Sequence, residues 1–198
     1  IHNFDADLKC DAATFQPCSD KALANHKAVV DSFRFYNVNK GIPQDKAVAV
    51  GRYSEDVYYN GNPWYLATLA AAEQLYDALY VWQEQGTIDV TETSVAFFKD
   101  ISPGIEPGTY ETGSETFQAL VQSVSAYADG FVNVVAKYTP ANGALAEQFS
   151  KDDGSPLSAR DLTWSYASFL SAADRRAGIV PPSWADEDAN NVPGTCTG

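Results

Sequence analysis

The sequence predicts an all-α protein. Five segments carry apolar residues at helical spacing, three of them long. Polar loops rich in Gly, Pro, Asn and Asp separate them. Only one stretch reads as extended, AVAVGRYSEDVYY (47–59), and it reads equally as a long functional loop.

The first helix is expected over 19–36. Ser19 suits its N-cap, and Leu23, Val29, Val30 and Phe33 share one face. The second spans 62–86, with Asn62 as cap, Pro63 at the first helical position and Gly86 past the end. Leu66, Leu69, Ala70, Leu75, Leu79 and Trp82 give it a wide apolar face, and its alanines allow close approach of neighbours. A shorter helix is expected over 91–101. A long one follows over 114–138, interrupted by Gly130. The last, 158–178, opens with a capping box of Ser158 and Asp161 and ends after Arg175 and Arg176. The tail, 180–198, reads as irregular, a wrap or linker pinned by Cys196. Long helices alternating with loops suit antiparallel hairpins, as in an α/α toroid or solenoid.

Charge narrows the partners. The 13 basic and 26 acidic residues leave a net charge of −13, which repels phosphate backbones and anionic membranes. No run of 18 apolar residues occurs, so no membrane span is expected. The opening IHNFDADLKC lacks the basic-then-apolar order of a signal peptide. The initiator Met is missing and the chain contains no Met at all, which a mature, processed or excised chain would explain.

Cys10 and Cys18 bracket a polar loop whose Asp11 and Pro17 suit a turn, and a disulfide between them is expected. Closing so short a loop is worth roughly 2–3 kcal/mol on the chain-entropy model. A disulfide points to an oxidising compartment and hence to secretion. Cys196 is left over and calls for a partner elsewhere. The alternative is three reduced, buried thiols.

No CxxC, HExxH, GxGxxG or P-loop is present, so metal, dinucleotide and nucleoside triphosphate sites lack support. His26 sits inside a helix and reads as a packing or surface residue. What remains is carboxylates with aromatics. GRYSEDVYYNGNPW (51–64) gathers Arg52, Glu55, Asp56, Tyr58 and Trp64. Aromatic faces stack on the apolar patches of a sugar ring, and fixed charged groups bind its hydroxyls. The plainer reading is a polar loop that caps a helix. In ALAEQFSKDDGSPLSARDLTWSYA (144–167), Glu147 and Trp164 can line one pocket if the loop returns the chain. Glycoside hydrolysis uses two carboxyl groups, one of which activates water in an inverting enzyme. The plainer reading of Glu147 is a solvated acid at a helix end.

Several long motifs resemble one family. VAVGRYSEDVYYNGNPWYLATLAAAEQLYDALY, AEQFSKDDGSPLSARDLTWSYA, CDAATFQPCSDKALANHKAVVDSFR and VPPSW…VPGTC are similar to fungal glucoamylases of glycoside hydrolase family fifteen, from Ile1 to Gly198. The resemblance implies part of an (α/α)6 barrel: the C-terminal portion of one catalytic domain, residues 1–198. The N-terminal portion, a linker and a starch-binding domain would lie outside this sequence.

The resemblance also implies glucose release, with inversion, from the non-reducing ends of starch and malto-oligosaccharides. Glu147 would be the general base. Arg52, Glu55, Asp56, Tyr58, Trp64, Gln148 and Trp164 would bind substrate. Cys196 would pair with a cysteine outside the chain. No cofactor or metal is implied, and the partner is the N-terminal portion carrying the general acid. Ser54 stands where relatives often have Pro, which removes a φ restraint from that loop. A non-catalytic carbohydrate-binding or interaction module is the rival reading, and an α/α-toroid hydrolase of another glycan is a nearer one.

Overall fold

The computed structural model describes residues 4–180. Cys196 and the tail from residue 181 lie outside them. Five helices carry the described residues: α1 (Asp20–Asp31), α2 (Tyr65–Gln85), α3 (Val95–Ile101), α4 (Glu115–Tyr138) and α5 (Thr163–Arg176). Four short strands were not anticipated. β1 (Thr87–Val90) pairs antiparallel with β2 (Gly108–Glu111), and β3 (Gln148–Phe149) pairs with β4 (Pro156–Leu157).

α2 is the axis of the packing. It lies against α4 on one side and α5 on the other, while α1 packs on α3. Its buried residues therefore run round the helix, from Tyr65 and Leu69 to Leu75, Ala78 and Trp82. It ends, as expected, at Gly86 in the left-handed conformation, whose N–H reaches the Trp82 carbonyl at 2.9 Å.

One core cluster joins α1 to α4 through Leu23, Phe33, Leu75, Trp82, Phe98 and Phe131. A smaller one, with Tyr65, Leu69, Val135, Leu145, Phe149 and Ala172, lies where α2, α4 and α5 meet the β3 segment. In it the Tyr138 and Phe149 rings stack at 4.8 Å. Gly154 must stay small there. Its φ is +80°, and a Cβ would fall 2.1 Å from the Tyr138 ring.

Several expected boundaries shift, each because a tertiary contact outcompetes a local signal. Ser19 does cap α1, accepting from Ala22 N at 3.3 Å. The helix stops at Asp31 rather than 36, because Ser32 Oγ bonds back to Val29 O and Arg34 turns to the carbonyls of Ile42, Pro43, Gln44 and Lys46. α3 starts at Val95 rather than 91, since Thr91 Oγ1 donates to Asp20 and Thr91 N to Ser94 Oγ. α2 starts at Tyr65 rather than Pro63, and α5 at Thr163 rather than beside Ser158.

Gly130 does not interrupt α4, which is continuous. Its role is clearance, because a Cβ there would sit 2.9 Å from Ala47 Cβ. The segment that needs this clearance is 47–50, which is buried and extended yet belongs to no sheet. Side chains replace the ladder: Asn39 bonds both Ala49 N and Ala49 O at 2.9 and 2.8 Å, and Thr68 Oγ1 accepts from Val50 N.

His26 is a packing residue, as expected, and it is buried. Its Nδ1 lies 3.3 Å from Gln74 Oε1, and the rings of Phe97, Tyr127 and Phe131 surround it edge-on. The Gln74 amide NH2 donates to Pro17 O and Ala22 O. Its oxygen therefore faces the histidine, and Nδ1 carries the proton. Among the described residues Nε2 has no hydrogen-bond partner. Burial pushes the imidazole down from 6.5 to about 4.

Between those values the unfolded chain binds a proton that the folded one does not. The full contribution is therefore present above pH 6.5 and is lost as pH falls toward 4. At about 1.4 kcal/mol per pH unit, the loss across that window is roughly 3 kcal/mol. Urea titrations of the complete protein should show this slope, and His26→Phe should flatten it.

Candidate active site

The chain leaves the buried 47–50 segment at Gly51, where a Cβ would meet the Tyr36 hydroxyl. Arg52 then stands at the surface in a fixed pose. Its Nε and Nη2 donate to both oxygens of Asp56, each at 2.8 Å. Its guanidinium lies over the rings of Trp64, Tyr58 and Tyr53 at 4.8, 5.0 and 5.4 Å. The Arg52 partner holds the Asp56 carboxyl below the usual carboxylate range, helped by the Tyr58 N–H. Asp56 in turn raises the guanidinium, and Glu147 adds to that effect. Arg52 and Glu147 thus share one electrostatic environment.

The turn after Asp56 is sharply wound. Tyr59, Asn60 and Gly61 have φ values of 48°, 69° and 67°. A Cβ on Gly61 would lie 2.0 Å from Asp56 O, so the turn folds tightly over the carboxylate's own backbone. Two bulky or amide side chains in the left-handed region mark the turn as a position held by its surroundings. Tyr58 is half exposed and Trp64 buried, with ring centroids 6.2 Å apart. Glu55 is exposed, and no hydrogen bond or ion pair joins it to the described residues. The two neighbouring acids therefore differ: Asp56 is held by Arg52 and the Tyr58 N–H, whereas Glu55 is bonded to none of the described residues.

Glu147 does not end a helix, since α4 stops at Tyr138. It sits at a bend just before β3, tied to the approach to α5. Glu147 N donates to Ala159 O at 2.8 Å, Leu162 N to Leu145 O at 2.9 Å, and Ser165 Oγ to Ala146 O at 2.7 Å. Its carboxylate is partly buried and held through one oxygen. Gln148 Nε2 donates to Oε2 at 2.9 Å and Ser158 Oγ to the same atom at 2.5 Å. Among the described residues Oε1 accepts no hydrogen bond. A carboxylate so held keeps one oxygen oriented and open to accept a proton.

The same contacts explain the misplaced helix starts. Ser158 serves Glu147 rather than a helix, with φ at 65°, and Asp161 accepts from Tyr166 Oη instead of capping. Asn62 is likewise taken up by the site. Its Oδ1 accepts from Lys151 N at 3.1 Å and its Nδ2 donates to Tyr59 O at 2.5 Å. Trp64 N pairs with Val50 O and Phe149 N with Pro63 O, and a bridge joins Trp64 to Gln148. Two clusters far apart in the sequence are in this way laced into one site.

Trp164 is 63% exposed on the first turn of α5, one residue from the Ser165 anchor. Phe169 and Leu170 are also exposed on that helix. A cavity of about 340 Å³ between α2, α4 and α5 lies away from Glu147. Its charged groups are paired with each other, because Arg176 binds Asp129 through two nitrogens and Tyr76 Oη donates to the same acid. Among the described residues no cluster of His, Cys, Asp and Glu could hold a metal ion. No described helix is long and apolar enough to cross a membrane. The Cys10–Cys18 disulfide is formed.

Paired helices that carry an oriented carboxylate and a row of aromatic rings on their connecting loops have the equipment of a carbohydrate-active helical enzyme. The chain belongs to glycosyl hydrolase family 15, whose family model matches residues 1–174. A glucoamylase of Neurospora crassa is 68% identical over 197 residues, covering all of this chain and 32% of that protein. A Hypocrea jecorina family 15 glucoamylase structure matches with a TM-score of 0.91 and 65% identity, over 98% of this chain and 33% of its own. The Hormoconis resinae glucoamylase structure matches with a TM-score of 0.89 and 51% identity, over 98% of this chain and 34% of its own. The chain thus spans about a third of the length of the relatives it matches, and its helices are part of an (α/α)6 barrel.

Proposed function

We propose that this chain supplies the water-activating half of a starch-degrading exo-hydrolase. The complete enzyme would release glucose from non-reducing ends of α-1,4-linked glucans with inversion at the anomeric carbon. The observation that carries this reading is the Glu147 carboxylate, anchored through Oε2, open at Oε1 and within electrostatic reach of Arg52. In the reaction Oε1 takes a proton from water as the water oxygen bonds the anomeric carbon. The glycosidic C–O bond breaks, and its oxygen takes a proton from an acid outside these residues.

Arg52, oriented by Asp56, would hydrogen-bond glucose hydroxyls. Tyr58 and Trp164, both exposed, would offer ring faces. The expected substrate contacts of Trp64 and Gln148 do not fit their burial, and Trp64 instead backs the Arg52 guanidinium while Gln148 acts through the Glu147 carboxylate it donates to. Glu55 would act only as a nearby charge. The exposed Trp164, Phe169 and Leu170 favour a chain that works inside a larger catalytic domain. The disulfide favours a secreted protein.

Product analysis tests the reading. The complete enzyme should release β-glucose from starch, seen by proton NMR before mutarotation, and should leave cellulose and chitin intact. Release of α-glucose, or cleavage of those other glycans instead of starch, would overturn it.

A further inference from the structure

The hydrogen bonds behind Glu147 form a chain with a fixed direction. It begins at two backbone groups whose roles cannot change. Lys151 N–H can only donate, and it gives to Asn62 Oδ1 at 3.1 Å. The Tyr59 carbonyl can only accept, and it takes from Asn62 Nδ2 at 2.5 Å. These two contacts fix which way the Asn62 amide faces. The residue is 5% exposed, so water offers little alternative.

The same Nδ2 reaches Gln148 Oε1 at 3.4 Å. Gln148 is fully buried and so must present its oxygen to Asn62. Its Nε2 then points to Glu147 Oε2, at 2.9 Å. With the opposite amide orientation, Gln148 would set a carbonyl oxygen against the carboxylate, an arrangement that only a protonated Glu147 could accept.

We propose that Asn62 is a positioning residue, fixing the amide polarity of Gln148 so that Gln148 donates to Glu147 Oε2 and leaves Oε1 facing the reacting water. The proposal rests on the reading of Glu147 as base. The other charged groups near Glu147 are Arg52 with Asp56 on the loop before α2, Lys151 on the β3–β4 turn, and Arg160 and Asp161 ahead of α5. Lys151 Nζ is engaged with Asn60 O, and Asp161 with Tyr166. Neither donates to the carboxylate, so the Gln148 amide and the Ser158 hydroxyl are what define Oε2.

Asn62→Asp is the discriminating change. It keeps the acceptor for Lys151 N and replaces the donor facing Gln148 with an acceptor. In the complete enzyme acting on maltose, kcat should fall about tenfold, the equivalent of one lost hydrogen bond to a charged group, and the acid limb of the kcat profile should move to higher pH. KM should change little. In a Gln148→Met background the same substitution should leave the acid limb where Gln148→Met alone puts it. If the shift persists in that background, the introduced carboxylate acts through space, and the proposal fails.

Asn62→Ala covers the case in which Asn62→Asp does not fold. It should lower kcat in the same direction, and an unchanged acid limb would again refute the proposal. A Glu147→Gln control separates the two levels. Full activity in that control removes the base assignment itself, whereas its loss together with an unchanged Asn62→Asp profile removes only the role of Asn62.

Discussion

Glu147→Gln in the complete enzyme should cut kcat on maltose by about 10²- to 10⁴-fold, the range a positioned general base supplies. KM should stay within a few-fold, because the amide keeps the shape of the carboxylate and the sugar contacts lie on other residues. The fall follows from the geometry. In the proposed reaction the open oxygen Oε1 accepts the proton, and an amide at that position is not basic. Oε2 is already occupied by Gln148 and Ser158, so it cannot substitute. Steady-state kinetics with the folded variant settles the matter, and turnover equal to that of the parent enzyme would mean that Glu147 is not the base. A small nucleophilic anion such as azide, which needs no deprotonation, should restore part of the rate in the variant. A variant that is merely misfolded would not respond to the anion.

The helices were legible because their signals are local and repeated. The Ser19 cap, the Gly86 stop and the apolar faces of α2 and α4 all read within a few residues of themselves. The misread starts share one cause. Asn62, Ser158 and Asp161 carry good capping side chains, but Asn62 and Ser158 are used by the site and Asp161 by Tyr166. Two of the three partners of the Asn62 amide lie 86 and 89 residues away, and no local window on the sequence contains them. Such failures of local reasoning tend to gather where function competes with folding rules.

The short strands escaped for a different reason. β1 carries only Ile88 and Val90 inward and pairs with a strand beyond α3, too little alternation to stand out. Arg52, Asp56, Trp64 and Glu147 were nameable as candidates, and the structure gathers them. Trp164 is near in sequence to the Glu147 anchors yet stands largely exposed, and Glu55 makes no hydrogen bond or ion pair among the described residues. Residue type singled out these two as readily as the others, but the packing of this chain alone does not engage them.

The largest stability effect is expected at a pair that carries no part of the reaction. Asp77 is fully buried in α2, and Arg175, 10% exposed in α5, approaches it at 2.8 Å. The contact ties the two helices that flank the smaller core, and Phe4 lies beside the guanidinium at 5.8 Å. Two charges in such a place gain from each other but lose hydration, so the pair as a whole contributes little. Removing one member is different, because the other charge then stays buried without that counter-ion. Arg175→Met alone, or Asp77→Leu alone, should cost about 3–5 kcal/mol, read as a lower urea midpoint in the complete enzyme. The double variant should recover most of that loss, since two apolar side chains of similar volume can fill the site. Single losses below about 1 kcal/mol would place the pair among ordinary surface contacts and remove it from the account of how α5 is held to α2.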